Sequence, residues 1–244
     1  MKAQTKWFFI ILLSILVLSK FIIALPSAPA PPNYISNSTA TSGLANRSVD
    51  AKGTITTITL SANQQDYKWK AYIGNVTGKV ALDNANGQSI YDWDIGTAGG
   101  GEVYVSRYSN INWDNITCVD DASVAAEQIS LGIPSGAADN INSTFNYTNH
   151  RGFSVGSNSG VIPISGCRST ATYISDNPQT MNSSAYFQEI LLHDASTGNM
   201  VYSTFIESAR TGFDNAPHDF QLLVAENESA TVPSIYYFWV ELGS

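Results

Sequence analysis

Two cysteines, three histidines and twelve lysines and arginines are all that this 244-residue chain offers to several common kinds of chemistry. Two thiols cannot complete a four-cysteine zinc site. Neither a C-x-x-C-H haem attachment nor a G-x-x-x-x-G-K-[ST] phosphate loop occurs. His150, His193 and His218 stand apart without H-x-x-x-H spacing, which argues against a metal site. Positive charge is scarce, with 12 Lys+Arg against 20 Asp+Glu and a formal net charge of −8. Nucleic-acid affinity depends on clustered Lys and Arg displacing counterions, so no nucleic-acid partner is expected. No internal repeat of solenoid period is visible. What the chain does have is 43% apolar and 11% aromatic residues, enough to fold around a sizeable core.

The N-terminus sets the compartment. Lys2 and Lys6 precede an uncharged, mostly apolar run from Trp7 to Ser19, followed by Lys20 and a second short run from Phe21 to Ala24. A basic start and a 7–15-residue apolar stretch read as a secretory signal. Cleavage after Ala24 suits it better than the A-x-A at Ala28-Pro29-Ala30, which would leave Pro31 after the scissile bond. The rival reading joins both runs into a retained anchor with Lys20 snorkelling toward the headgroups, the chain's one membrane contact. Either way residues 25 onward are exported, and the exported part is more acidic. Losing Lys2, Lys6 and Lys20 leaves nine positive against twenty negative side chains and a net charge of −11.

Export gives two further features a meaning. Eight N-x-[ST] sequons lie beyond the apolar segment, at Asn37, Asn46, Asn75, Asn115, Asn142, Asn146, Asn182 and Asn227. Glycosylation would place these asparagines at the surface; unmodified turn asparagines are the bland alternative. Cys118 and Cys167, the only thiols, are expected to pair in an oxidising compartment, the alternative being two free thiols in a core.

Residues 25–53 are dense in Pro, Ser, Ala, Asn and Thr and read as a flexible linker. Beyond it strand signals recur: the β-branched run Thr54–Ala62, then Tyr67–Gly74, and a hairpin of Lys79–Leu82 and Ser89–Trp93 about an Asn-Gly turn. Glu102–Tyr108, Gly160–Ile164 and Ala171–Ile174 follow, with loops elsewhere between Gly132 and Asn182. A second hairpin spans residues 185–208 around Ala195–Asn199, and His218–Glu226 and Ser234–Leu242 close the chain. Asp120–Leu131, with an acidic start and good helix formers, predicts one short helix. The fold class expected for residues 54–244 is all-β, an antiparallel β-sandwich of Ig-like or jelly-roll-like type, preceded by the N-terminal signal or anchor helix. Trp69, Tyr91, Trp93, Phe187, Phe205, Phe220, Tyr237 and Trp239 are the core candidates, and Tyr236 and Phe238 on the alternate face of the last strand should meet a second sheet or a neighbouring subunit.

Candidate chemistry is thin. Gly152-Phe153-Ser154-Val155-Gly156 matches the G-x-S-x-G nucleophile elbow, with Asp194 and His218 downstream in hydrolase order. The elbow needs a helix after the serine, and Ser157-Asn158-Ser159-Gly160 cannot start one. Asp92, Asp94, Asp114, Asp120 and Asp121 lie near turns and could offer calcium hard oxygens, yet no D-x-[DN]-x-[DN]-G loop organises them. No spacing singles out a carboxylate pair for glycoside hydrolysis. No catalytic residue, metal ligand or cofactor is therefore assigned.

Trp69–Gly78 (WKAYIGNVTG), Ile90–Trp93 (IYDW) and the closing Asp219–Leu242, with DFQLLV and YYFWVEL, resemble uncharacterised exported surface proteins from archaea, small-genome lineages included. The resemblance implies an N-glycosylated, β-rich cell-surface protein and carries over no catalytic residue. The expectation is a non-catalytic extracellular surface protein, as a filament or surface-layer subunit that self-associates or meets other surface proteins. Strand exchange through Thr54–Ala62 would be one route to such an assembly. A carbohydrate- or cell-binding adhesive module is the alternative, and a secreted hydrolase the remote one.

Overall fold

Every residue of β9 (Gln188–Asp194) is buried, and in its neighbour β10 (Asn199–Phe205) only the first is not. Side chains alternate across a strand, so strands buried at every position need a covering layer on each face. The computed structural model describes residues 69–77, 79–83, 89–94, 100–226 and 234–242, and it supplies both layers. The other strands are β1 (Trp69–Gly74), β2 (Lys79–Asp83), β3 (Ser89–Asp94), β4 (Gly101–Ser106), β5 (Ile116–Cys118), β6 (Phe153–Ser157), β7 (Gly160–Ile164) and β8 (Ser169–Ala171). After β10 come β11 (Arg210–Thr211), β12 (Pro217–His218), β13 (Phe220–Ala225) and β14 (Tyr237–Leu242). Helical structure is limited to a 3₁₀ turn (Trp113–Asn115), α1 (Asp121–Leu131) and the single turn α2 (Ile141–Thr144).

The main sheet runs β14-β4-β10-β9, with β5 and β8 both on the outer side of β9 and every pair antiparallel. It is open and forms no barrel. One face carries Val103, Val105, Leu191, Met200 and Tyr202, packed against Leu222 and Val224 of β13 and against Val124, Leu131, Ile141 and Phe145 of the helical segment. The opposite face carries Tyr104, Ile190, Leu192, Val201, Phe205 and Trp239, packed against Val155 and Ile164 of the β6–β7 hairpin. Burying six such side chains contributes roughly 1.5–3 kcal/mol each, which rivals the ~5–15 kcal/mol net stability of a whole domain. Neither cover is dispensable.

Local chemistry explains the helix. The Asp120 carboxylate accepts the Ser123 N–H as N-cap, and Gly132, at φ 70°, turns its N–H back to Gln128 and Ile129. Val124, Glu127, Gln128 and Leu131 form the inward face, and Ile129 is left 80% exposed. The inward Glu127 is neutralised by a two-pronged Arg107 guanidinium at 2.7 and 2.8 Å.

β5 and β8 lie end to end along β9. Thr117 pairs with His193 and Cys118 with Leu192, while Ser169 pairs with Ile190 and Thr170 with Glu189. At the seam the Leu191 N–H donates to Arg168 and its carbonyl accepts from Val119. The two pieces act as one edge strand interrupted by an excursion that holds α1, α2, β6 and β7. Cys118 and Cys167 are disulfide-bonded across its neck, 49 residues apart in sequence. His150 buttresses the same point: its Nε2 accepts the Cys167 N–H at 2.9 Å and its Nδ1 lies 2.7 Å from the Arg151 carbonyl, so the Nδ1–H tautomer satisfies both.

Several expectations hold and some need correction. The mostly β, antiparallel character, the β2–β3 and β9–β10 hairpins, α1 and the disulfide are all present. Tyr236 and Phe238 meet Tyr72 of β1, ring centroids 6.3 and 4.9 Å away. Tyr237 is not core: it is 41% exposed because it occupies the free end of β14, beyond the cover of the hairpin. The strand expected at Ala171–Ile174 is Ser169–Ala171, since the chain leaves the edge of β9 after Ala171 and Ile174 makes only a bridge to Asn177. β6 was read as loop; a Gly- and Ser-rich strand gains its order from β7 and the aromatic face beneath it. Tyr91 and Trp93 fall in β3, described by its backbone alone. The signal or anchor, the 25–53 linker, Thr54–Ala62 and the Asn-Gly turn lie outside the described residues.

Opening the neck should cost most of the margin of stability. In the chain-entropy model a 49-residue loop stabilises by about 4 kcal/mol. Cys118→Ala/Cys167→Ala should lower the free energy of urea unfolding by about that amount. An unchanged midpoint would remove the neck from the account.

Candidate functional site

Charged side chains that point inward from a sheet are costly unless a partner accounts for them. The register of the main sheet sets two such groups side by side: Glu241 of β14 directly opposite Glu102 of β4, with Phe205 of β10 on the other flank of Glu102. Both carboxyls lie on the face shared by Tyr104 and Trp239. The Tyr104 hydroxyl donates to Glu241 Oε2 at 2.8 Å, and the Gly156 N–H of β6 donates to Oε1 at 2.9 Å. Beyond them the Arg151 guanidinium lies over the Phe205 ring at 4.0 Å and binds Glu207 at 2.6 Å.

Burial, and then the neighbouring Glu241, pushes Glu102 up to about 8, with Arg151 opposing. Burial also raises Glu241, but the Tyr104 and Gly156 bonds pull against it. Near neutral pH the environments separate the pair: Glu102 is the neutral acid, and Glu241 holds donors suited to a carboxylate. Such a division serves acid–base catalysis where substrate or water can lie between the groups. Here each Glu241 oxygen already carries a protein donor, and cross-strand neighbours have Cβ atoms only ~5 Å apart. The arrangement fits proton sharing within the sheet.

A second constellation joins residues that sequence spacing kept apart. Ser123 Oγ lies 2.8 Å from His193 Nδ1, and Asp120 Oδ1 lies 3.9 Å from the same nitrogen. A catalytic relay places the serine and the acid on opposite ring nitrogens, whereas here both approach Nδ1. Ser123 is 7% exposed and roofed by the β9–β10 turn, where a Cβ on Gly198 would stand 3.6 Å from its hydroxyl. The contact pins the N-terminus of α1 to β9.

The candidate elbow is not assembled. Ser154 lies in β6 opposite Pro163, and the chain leaving β6 enters β7. Asp194 is occupied by Ser196, Thr197 and the Asn112 N–H; burial raises its carboxyl, but these bonds outweigh it and the net shift is downward. His218 bonds Asp214 at 2.9 Å. Of the carboxylates considered for calcium, Asp114 receives the Asn158 backbone and side-chain N–H groups, Asp120 caps α1, and Asp121 pairs with Arg168. Asp92 and Asp94 fall in β3. Among the described residues no group of three or more His, Cys, Asp or Glu could hold a metal ion. The sequence did carry one overlooked signal: Glu102 and Glu241 sit in phase with Tyr104 and Trp239, on positions that strand alternation assigns to an inward face.

All five sequon asparagines within the described residues, Asn75, Asn115, Asn142, Asn146 and Asn182, are exposed, while Asn140, which heads no sequon, is buried. No family model matches the chain, and neither a curated protein nor a solved structure matches it.

The geometry at the two serines predicts that a fluorophosphonate probe labels neither Ser154 nor Ser123 in the native protein. Stoichiometric labelling of either, located by peptide mass, would make that serine a nucleophile and restore the hydrolase reading.

Proposed function

We propose that this chain is an exported, N-glycosylated structural protein of the cell surface that performs no catalysis. The exposure of every described sequon asparagine is the observation that carries the reading. Eight sequons in an acidic chain with a basic, apolar N-terminus supply the context, and a disulfide suits an oxidising compartment. The resemblance to exported archaeal surface proteins points the same way. The fold is read as an elaborated β-sandwich in which the main sheet stacks on the β1–β13 ribbon, with the β6–β7 hairpin as an added layer. Self-association with a second copy, as in a filament or surface layer, is supported by the outer side of β14. That edge has no partner strand among the described residues and is flanked by exposed Ile235, Tyr237 and Leu242.

One observation favours the adhesive alternative. Tyr237 is exposed beside Trp239, ring centroids 6.4 Å apart, a pairing on which a sugar face could stack.

The first test is glycopeptide mapping of protein isolated from its native cells, together with its localisation by immunogold labelling. Glycans on several of Asn75, Asn115, Asn142, Asn146 and Asn182 and label at the cell exterior are expected. Five bare asparagines, or an interior location, would reject the proposal. Glycan-array binding abolished by Tyr237→Ala would replace the structural reading with the adhesive one.

A further inference from the structure

β14 is the one strand of the main sheet that joins it by a single ladder, to β4, with its other edge unpaired among the described residues. Within that ladder the position nearest the chain end that carries charge on both strands is Glu241 opposite Glu102. Like charges directly opposite across a ladder destabilise it, and water cannot screen them well where Glu241 is 7% exposed. One shared proton removes the repulsion.

We propose that Glu102 and Glu241 form a one-proton clasp that fastens the edge strand β14 to β4, so that loss of this proton releases β14. Every charged or titratable group packed around the pair fits this role. On β14, Glu241 has both oxygens held, by Tyr104 of β4 and by the Gly156 N–H of β6. These bonds hold the negative charge in place and leave Glu102 to carry the proton. The nearest cation, Arg151 ahead of β6, is engaged by Glu207 beyond β10 and stacked on Phe205, which limits what it can do for an ionised Glu102. The burial-driven upward shift of Glu102, to about 8, has the same sign.

The linkage follows directly. A glutamate whose folded value lies above its ordinary value binds a proton in the closed strand that it gives up in the open one. That contribution is complete below the ordinary value near 4.5 and is lost as pH rises toward about 8. The clasp does not depend on the surface role proposed above.

Amide hydrogen exchange of the full exported chain, expressed as protection factors to remove the intrinsic pH dependence, tests the clasp. Protection of residues 237–242 should fall by up to about tenfold per pH unit between pH 5 and 8 and then level off. Glu102→Gln, which keeps the shape without the charge, should flatten that slope and keep β14 protected at pH 9. Glu189→Gln, which alters the other deeply buried glutamate, should leave it in place. A flat wild-type profile, or a slope that survives Glu102→Gln, would overturn the clasp. Carbon NMR titration of Glu102 in the wild-type chain gives a second reading should that variant fail to fold. A midpoint near 8 supports the clasp, and one at the ordinary glutamate value contradicts it.

Discussion

At Leu191 the outer edge of the main sheet passes from β5 to β8, and the covalent bond beside that seam holds the layers together. Cys118 closes β5, Cys167 precedes β8, and the chain between them leaves the sheet to form part of one cover and all of the other. The excursion sends α1 and α2 over the face of Leu191 and Tyr202, then sends β6 and β7 over the face of Leu192 and Trp239. An antiparallel sheet this apolar on both faces cannot stand in water with either side bare. The disulfide therefore acts on more than the entropy of one loop: it fixes the root from which both faces are closed.

Buried polar groups complete the closure. Glu189, fully buried on β9, reaches across to accept the Leu223 N–H at 2.9 Å, which ties the sheet to β13; burial holds its carboxyl well above the usual range and so keeps it neutral. Asp219, 2% exposed, accepts the Val76 and Ala209 N–H groups and joins the ends of β1, β10 and β13. Gln221 spends its side chain on Phe213, Thr172 and Tyr173. Gly212 is required there, because a Cβ would meet Gln221 Oε1 at 2.6 Å. Each bond links segments distant in sequence, so the loops between strands are fixed by tertiary contacts more than by turn chemistry.

What could be read from the sequence was local. Period-two runs located β9, β10, β13 and β14; the Asp120 cap and the Gly132 stop bounded α1; two thiols in an exported chain left one pairing. What could not be read was register and layering. Nothing along the chain says that Glu241 will face Glu102, that Ser123 will reach His193, or that β6, with two serines and a glycine in five residues, will be a strand at all. Those outcomes depend on partners dozens of residues away. The G-x-S-x-G match shows the converse: a motif of five residues specified a turn that the partner strand β7 overruled.

The claim that the neck governs both covers is tested most directly by comparing site-resolved hydrogen exchange in the oxidised and fully reduced protein at one pH. The account predicts that reduction lowers protection in α1 and in the β6–β7 hairpin together, while the centre of β10 and its ladder to β4 stay protected longest. If reduction changes only residues next to Cys118 and Cys167, or loosens one cover and leaves the other at its oxidised level, the disulfide is a local staple and the account is wrong.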